Sequence, residues 1–356
     1  MSVYNFFAGP AILAPEVLSK AKDAVENFAD MGLSILEISH RSKQFVEVMD
    51  TAEAKVRSLL GLSDDFAVLF LTGGASTQFF MSAMNILNPN DTAGYLDTGS
   101  WSSKAIKEAK KFGQVEVVGS SKDKNYSYIP KGYEINDNYK YLHLTSNNTI
   151  FGTQIQEFPD TNVPIICDMS SDIFSRTLDI DKFGMIYAGA QKNLGPAGTT
   201  LVIIRKDLLG KVERDIPTML NYQTHIAKSS SFNTPPVYPI YVSMLSLNWL
   251  DNNGGIAAMQ KKNDEKADLI YNEIDRNPLF EGTAAKEDRS KMNVCFVPKN
   301  DDHTSLFMKK ATEAGCLGVN GHRSVGGFRA SIYNAMNIEG VQALVDVMQD
   351  FEKTHG

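Results

Sequence analysis

The segment Tyr187-Ala188-Gly189-Ala190-Gln191-Lys192-Asn193-Leu194-Gly195-Pro196-Ala197-Gly198 places one lysine among small residues, directly after the apolar run Met185–Ala188. Upstream, Val163-Pro164-Ile165-Ile166-Cys167-Asp168 ends a second apolar run on a single aspartate. Short apolar runs closed by small or polar turns read as strands, and open α/β sheets bind their ligands beyond the strand ends. Lys192 and Asp168 are therefore expected at one edge of such a sheet. A lysine amine and a carboxylate are the two groups pyridoxal phosphate needs, the first for a Schiff base and the second to hold the protonated pyridine nitrogen. A single lysine is ordinarily a solvated surface residue. The glycines, alanines and proline around Lys192, with few charges nearby, favour function.

Outward from this pair the chain alternates between the periods of strand and helix. Strand Ala67–Leu71 runs through Thr72-Gly73-Gly74-Ala75 into helix Ser76–Ile86, and strand Thr92–Leu96 runs through Gly99-Ser100 into helix Ser102–Phe112. Further apolar runs lie at Val115–Val118, Tyr141–Leu144 and Thr200–Ile204. Such alternation predicts an α/β fold with parallel pairing and helices on both faces of the sheet. Two helices precede it. Pro15 opens the first, with Val17, Leu18, Ala21, Val25 and Phe28 marking one face; Phe45, Met49, Ala52, Val56 and Leu59 mark the second, which Gly61 stops. The last third reads as α+β: long helices Pro239–Asp251 and Gly255–Arg276, strand Met292–Val297, helix Thr304–Ala314, a strand near Phe328–Ile332 and helix Glu339–Phe351. The expected division is a large domain over 16–260, a small α+β domain over 261–356, and an N-terminal segment 1–15 joined to them.

Composition narrows the function classes. The 356 residues suffice for one large and one smaller domain, and 43% hydrophobic with 22% charged residues is ordinary for a soluble globular chain. The net charge of −7 with scattered basic residues argues against nucleic acid or an anionic membrane as partner. Three cysteines, Cys167, Cys295 and Cys316, form no C-x-x-C pair, which excludes a disulfide framework or zinc site and fits a reducing cytoplasm. No metal site is read. The N-terminus lacks the basic region of a signal peptide, and no apolar run reaches membrane-spanning length.

The remaining candidates cluster at loops. Gly73-Gly74-Ala75-Ser76-Thr77 joins a strand to a helix, where backbone N–H groups and the helix dipole favour an anion. Alone it would be an ordinary tight turn; with Asp168 and Lys192 downstream it reads as a cofactor-phosphate turn. Trp101, one of two tryptophans, either stacks on a cofactor ring or packs as a helix-capping core residue. Thr149, in the polar loop Ser146–Gly152, either donates to a ring oxygen or orders a turn. His40-Arg41, His322-Arg323 and Arg329 lie beside glycines and histidines, more like an anion pocket than a salt-bridged helix face.

Taken together, Asn5–Pro10, Ser39-His40-Arg41-Ser42, Gly73–Ser76, Tyr187–Gly198, Phe232-Asn233-Thr234-Pro235-Pro236, and Gly321-His322-Arg323 through Arg329–Ala335 resemble the phosphoserine aminotransferases, class V members of the fold-type-I pyridoxal phosphate enzymes. The resemblance covers nearly the whole chain. It implies a large, mostly parallel-sheet α/β/α domain and a smaller α+β domain. It implies that Lys192 carries the Schiff base and Asp168 pairs with the pyridine nitrogen. Trp101 and Thr149 would hold the ring, while Ala75, Ser76 and Gln191 hold the phosphate. Asn233 and Thr234 would reach the cofactor of the other subunit of a homodimer with shared sites. Arg329 would bind the substrate α-carboxylate, and His40, Arg41, His322 and Arg323 its phosphate or the distal carboxylate of glutamate. The implied reaction is reversible amino transfer between L-glutamate and 3-phosphohydroxypyruvate, giving O-phospho-L-serine and 2-oxoglutarate. That is a step of serine biosynthesis, and a related substrate of pyridoxine biosynthesis is also implied. The chain departs from the family at Ala8, where many relatives carry Ser. The rival readings are an alanine or serine–glyoxylate type transaminase and a cofactor-binding protein without turnover.

Overall fold

The computed structural model describes residues 2–356; residue 1 of the N-terminal segment lies outside them. A short strand β1 (Tyr4–Asn5) precedes α1 (Pro15–Glu26) and α2 (Lys43–Leu60). The sheet-forming region follows as β2 (Phe66–Leu71), α3 (Gly74–Ile86), β3 (Thr92–Asp97), α4 (Ser100–Ala109), β4 (Gln114–Ser120) and β5 (Leu142–Thr145). A small hairpin, β6 (Asn147–Asn148) and β7 (Thr153–Gln154), leads to β8 (Ile165–Asp168), β9 (Phe183–Gly189) and β10 (Thr200–Arg205). Helices α5 (Tyr222–Ala227), α6 (Val237–Asn252) and α7 (Gly255–Arg276) come next. The chain closes with β11 (Phe280–Gly282), β12 (Asn293–Pro298), α8 (His303–Glu313), β13 (Cys316–Leu317), β14 (Phe328–Ser331) and α9 (Ile338–His355).

The seven-stranded sheet has the order β2-β10-β9-β8-β5-β3-β4. β3, β4, β5, β8 and β9 pair in parallel, whereas β10 is antiparallel to both β2 and β9. The sheet is thus mostly parallel, as the sequence pattern and the family resemblance implied. β10 is the exception because the loop after β9 holds no crossover helix, and a short return reverses the strand. The strand residues divide between two cores by strict alternation. Val68, Phe70, Leu144, Cys167 and Ile186 face the layer of α1, α2 and α6, while Leu69, Tyr95, Tyr141, Ile166 and Tyr187 face α3 and α4. The sheet is thus covered on both sides, and its strand ends are the open edge.

In α1 the buried stripe is Val17, Ala21 and Ala24, continued by Phe28; Leu18 and Val25, expected on that face, are 52% and 37% exposed. They lie about 100° around the helix from Val17 and Ala24 and fall on the stripe's solvent margin. In α2, Gly61 ends the helix in the left-handed region at φ 66°, the conformation a glycine C-cap supplies.

A second, three-stranded sheet, β11-β12-β14, packs under α7, α8 and α9 around Phe280, Phe296, Phe307 and Phe328. Helix α7 serves both cores: Met259 belongs to the large one, and Ala267, Ile270 and Ile274 belong to the small one. The N-terminus also joins the small core. β1 pairs in parallel with β13, and Phe6 is fully buried there.

Candidate active site

Adjacent parallel strands deliver Asp168 and Lys192. Asp168 ends β8 in register with Tyr187 of β9, and β9 leads directly into the Lys192 loop. Both residues line a cavity of about 140 Å³ at the strand ends, together with Ala75, Ser76, Trp101 and Gln191. Lys192 Nζ donates to Thr149 Oγ1 at 2.9 Å, and Arg329 Nη1 donates to the Thr149 carbonyl at 3.1 Å. Thr149 therefore joins the lysine to the arginine, bringing a residue of the β6–β7 loop and one of β14 to the same point.

The electrostatics follow from this packing. Burial pushes the Lys192 amine down from 10.5 to about 8; Asp168 pulls it upward, and Arg329 adds to the lowering. Burial pushes the Asp168 carboxyl above its ordinary value, opposed by Ser170 and by the charge of Lys192. Ser170 N–H donates to Asp168 Oδ1 at 2.9 Å. A cation set against Asp168 in the cavity would favour its ionised form.

The Gly73-Gly74 turn is built as its glycines require. Gly73 has φ +96°, and a Cβ there would stand 2.1 Å from Thr77 Oγ1. That close approach lets Thr77 Oγ1 donate to the Gly73 carbonyl at 2.9 Å, and the first N–H groups of α3 have no intrahelical acceptor. Gly74, Ala75 and Ser76 of that first turn line the cavity. Trp101, in the first turn of α4, lines it too, with Lys104 Nζ 4.3 Å from the ring centroid and its own indole N–H buried without a partner. A buried carboxylate with no salt-bridge partner among the described residues, a helix N-terminus and an aromatic wall beside a lysine form a donor set that fits pyridoxal phosphate.

His322 stands near this edge. Burial lowers its pKa, and the charges of Arg329, Arg323 and Lys104 lower it further. Ser324 donates to His322 Nδ1 through its hydroxyl at 2.7 Å. Arg323 is exposed. Within one chain, His40, Arg41, Asn233 and Thr234 do not reach the Lys192 cavity. Arg41, Asn233 and Thr234 are exposed, and Asn233 instead lines a neighbouring cleft with Gly73 and Thr77.

Sequence reading missed Asn147, Ser170 and Ser171, which also line the cavity. Asn147 Nδ2 donates to Ser171 Oγ at 2.8 Å, and Ser170 Oγ accepts from Gly189 N–H at 3.1 Å. The one available signal was the Asp168-Met169-Ser170 spacing, in which an Asp side chain accepts from the backbone two residues on. Behind them, buried Asp172 accepts from Ser146 Oγ, from Gln154 Nε2 at 3.1 Å and from Arg176 Nη2 at 3.3 Å.

Residues 3–344 match the family model of the aminotransferase class-V proteins. The phosphoserine aminotransferase of Flavobacterium johnsoniae is 61% identical over 99% of both chains. The structure of phosphoserine aminotransferase from Bacillus circulans subsp. alkalophilus superposes with a TM-score of 0.97 at 46% identity, covering 100% of this chain and 99% of that one. A structure describing radiation damage of the Schiff base in phosphoserine aminotransferase superposes at 0.96 with 49% identity, covering 99% of this chain and 100% of that one.

Proposed function

The chain belongs to the aminotransferase class-V family and is a pyridoxal phosphate-dependent transaminase, and we propose that it moves an amino group reversibly between L-glutamate and 3-phosphohydroxypyruvate. The observation that carries this reading is the single cluster in which Lys192, bonded to Thr149, stands beside buried Asp168 with Arg329 on the same threonine. When bound, the cofactor supplies an electron sink for the pair left as the Cα–H bond breaks. Asp168 holds positive charge at the cavity floor. The Lys192 amine, its pKa lowered to about 8 and so more readily deprotonated than an ordinary lysine, takes the α-proton of the amino acid at Nζ and returns it. Thr149 fixes the direction of that nitrogen. Ala75 and Ser76 present backbone N–H groups to the cofactor phosphate, with Gln191 beside them, and Trp101 walls the ring.

Arg329 takes the substrate α-carboxylate through its planar fork. His322 and Arg323 read the phosphate, and an anion there would raise the His322 pKa that the surrounding cations depress. His40, Arg41, Asn233 and Thr234 complete the site of a second copy in a homodimer. The exposure of Arg41, Asn233 and Thr234 in one chain, beside exposed Leu33, Leu36 and Phe232, supports that assignment. Three free buried thiols support a cytoplasmic location. No helix of the described residues is long and apolar enough to cross a membrane.

Amino-donor competition tests the reading. Phosphoserine, serine and alanine are each supplied with 2-oxoglutarate, and phosphoserine should give the highest kcat/KM. Preference for alanine or serine would favour the glyoxylate-type transaminase, and turnover with none would favour a binding protein.

A further inference from the structure

We propose that Lys266 is a positioning residue for amino transfer: from α7 it holds the Ile332–Asn334 turn, and through that turn it places Arg329 and the loop of Lys192. The inference rests on the roles of Arg329 and Lys192 given above. Lys266 is 2% exposed, and its Nζ donates to the carbonyls of Ile332 at 2.9 Å and Tyr333 at 2.8 Å. Among the described residues no carboxylate pairs with it, and the neighbouring charge of Lys262 repels it. A buried lysine without an acid is expensive, so a packing role alone would be better filled by an apolar side chain.

What it grips explains its place. Asn263 and Lys266 lie three residues apart on one face of α7, and Asn263 Nδ2 donates to Asn334 Oδ1 at 2.9 Å. Two polar side chains of one helix thus seize the same turn. The Ile332–Asn334 segment follows β14, which carries Arg329. Asn334 N–H donates to Asn193 Oδ1 at 3.0 Å, next to Lys192, and Asn334 Nδ2 donates to the Phe174 carbonyl at 3.0 Å. Phe174 sits at φ +59°, a strained conformation for a bulky residue, so its carbonyl is aimed by what holds it. Tyr333 Oη donates to the Ala8 carbonyl at 2.7 Å, tying down the N-terminal segment whose Gly9 packs on Lys192. Burial brings the Lys266 amine down to about 7. In its neutral form it has two N–H groups for two carbonyls, whereas the ammonium would bury a third without an acceptor.

Lys266→Met and Lys266→Gln test the assignment, the second keeping an N–H donor should the first fold poorly. With Lys266→Met, KM for both phosphoserine and glutamate should rise on the order of tenfold, because both substrates share Arg329, and kcat should fall by less, about threefold, as the Lys192 loop loosens. Lys266→Gln should lie between wild type and Lys266→Met. Hydrogen exchange of the holoenzyme should accelerate at amides 328–335 and 191–195 and leave α3 and β8 unchanged. Unchanged KM in a folded variant, or protection lost evenly across the chain, would overturn the proposal. If wild type fails to use phosphoserine, the substrate reading falls, while the exchange pattern still decides the role of Lys266.

Discussion

At the cavity, the surroundings of Lys192 ease the loss of its proton. Its amine is driven from 10.5 to about 8, first by burial and then by Arg329, against the pull of Asp168. A lysine whose folded value lies below its unfolded value binds fewer protons folded than unfolded between the two. The cofactor-free protein should therefore gain stability as pH rises from about 8 toward about 10.4. Lys192→Met should flatten that part of the curve, as read by urea unfolding at a series of pH values; an unchanged slope would mean that Lys192 is not depressed. Asp168→Asn keeps the shape and removes the charge. Transamination should fall by about 10²–10³-fold, with cofactor affinity falling far less. Near-wild-type turnover would remove Asp168 from the chemistry. Both residues were legible because each is a lone functional group after an apolar run. Asn147, Ser170 and Ser171 were not, since isolated polar residues in a buried stretch carry no period, and only the fold sets them on one cavity.

At the scale of elements, the phosphate turn and the sheet show what patterning carries. The Gly73-Gly74 pair announced a strand-to-helix turn, and the structure places α3 there with Gly73 at φ +96°. Gly73→Ala should cost on the order of 1–3 kcal/mol from the strained backbone alone. Its Cβ would also displace the Thr77 hydroxyl that now stands 2.1 Å away and donates to the Gly73 carbonyl. Weaker cofactor binding by fluorescence titration, with a lower Tm, is the expected result; unchanged affinity would mean that the turn does not hold the phosphate. Gly255–Arg276 was read to its ends, because an uninterrupted helical period with glycines before it leaves little freedom. The strands β1 and β13 escaped notice. Two-residue pairings such as Tyr4–Asn5 with Cys316–Leu317 have no alternation to detect and exist only through long-range contact. The direction of β10 was not specified by the pattern: direction depends on the connection, and the short Lys192 loop returns the strand antiparallel to β9.

The whole molecule raises the question of how one chain could complete its site. Asn233 and Thr234, which the family resemblance brings to a cofactor phosphate, are exposed and away from the Lys192 cavity of their own chain. Arg41 is exposed as well, and exposed Leu33, Leu36 and Phe232 flank these segments. Polar residues with a binding role and apolar side chains open to water are both accounted for if this face meets its copy about a two-fold axis. Each site then takes Lys192 and Asp168 from one subunit and Asn233, Thr234 and Arg41 from the other. Complementation reads this directly. Lys192→Ala and an Asn233→Ala, Thr234→Ala double variant should each be nearly inactive alone. After subunit exchange, half of the dimers are mixed and each mixed dimer regains one intact site, so activity should approach about a quarter of wild type. Lys192→Ala mixed with Arg41→Ala should behave alike. Two variants on the same side of the site, Lys192→Ala and Asp168→Asn, share one set of lesions and should gain nothing beyond their separate activities. No recovery in the first mixture despite demonstrated exchange would place each site within a single chain, whereas recovery in the control would mean that Lys192 and Asp168 come from different subunits.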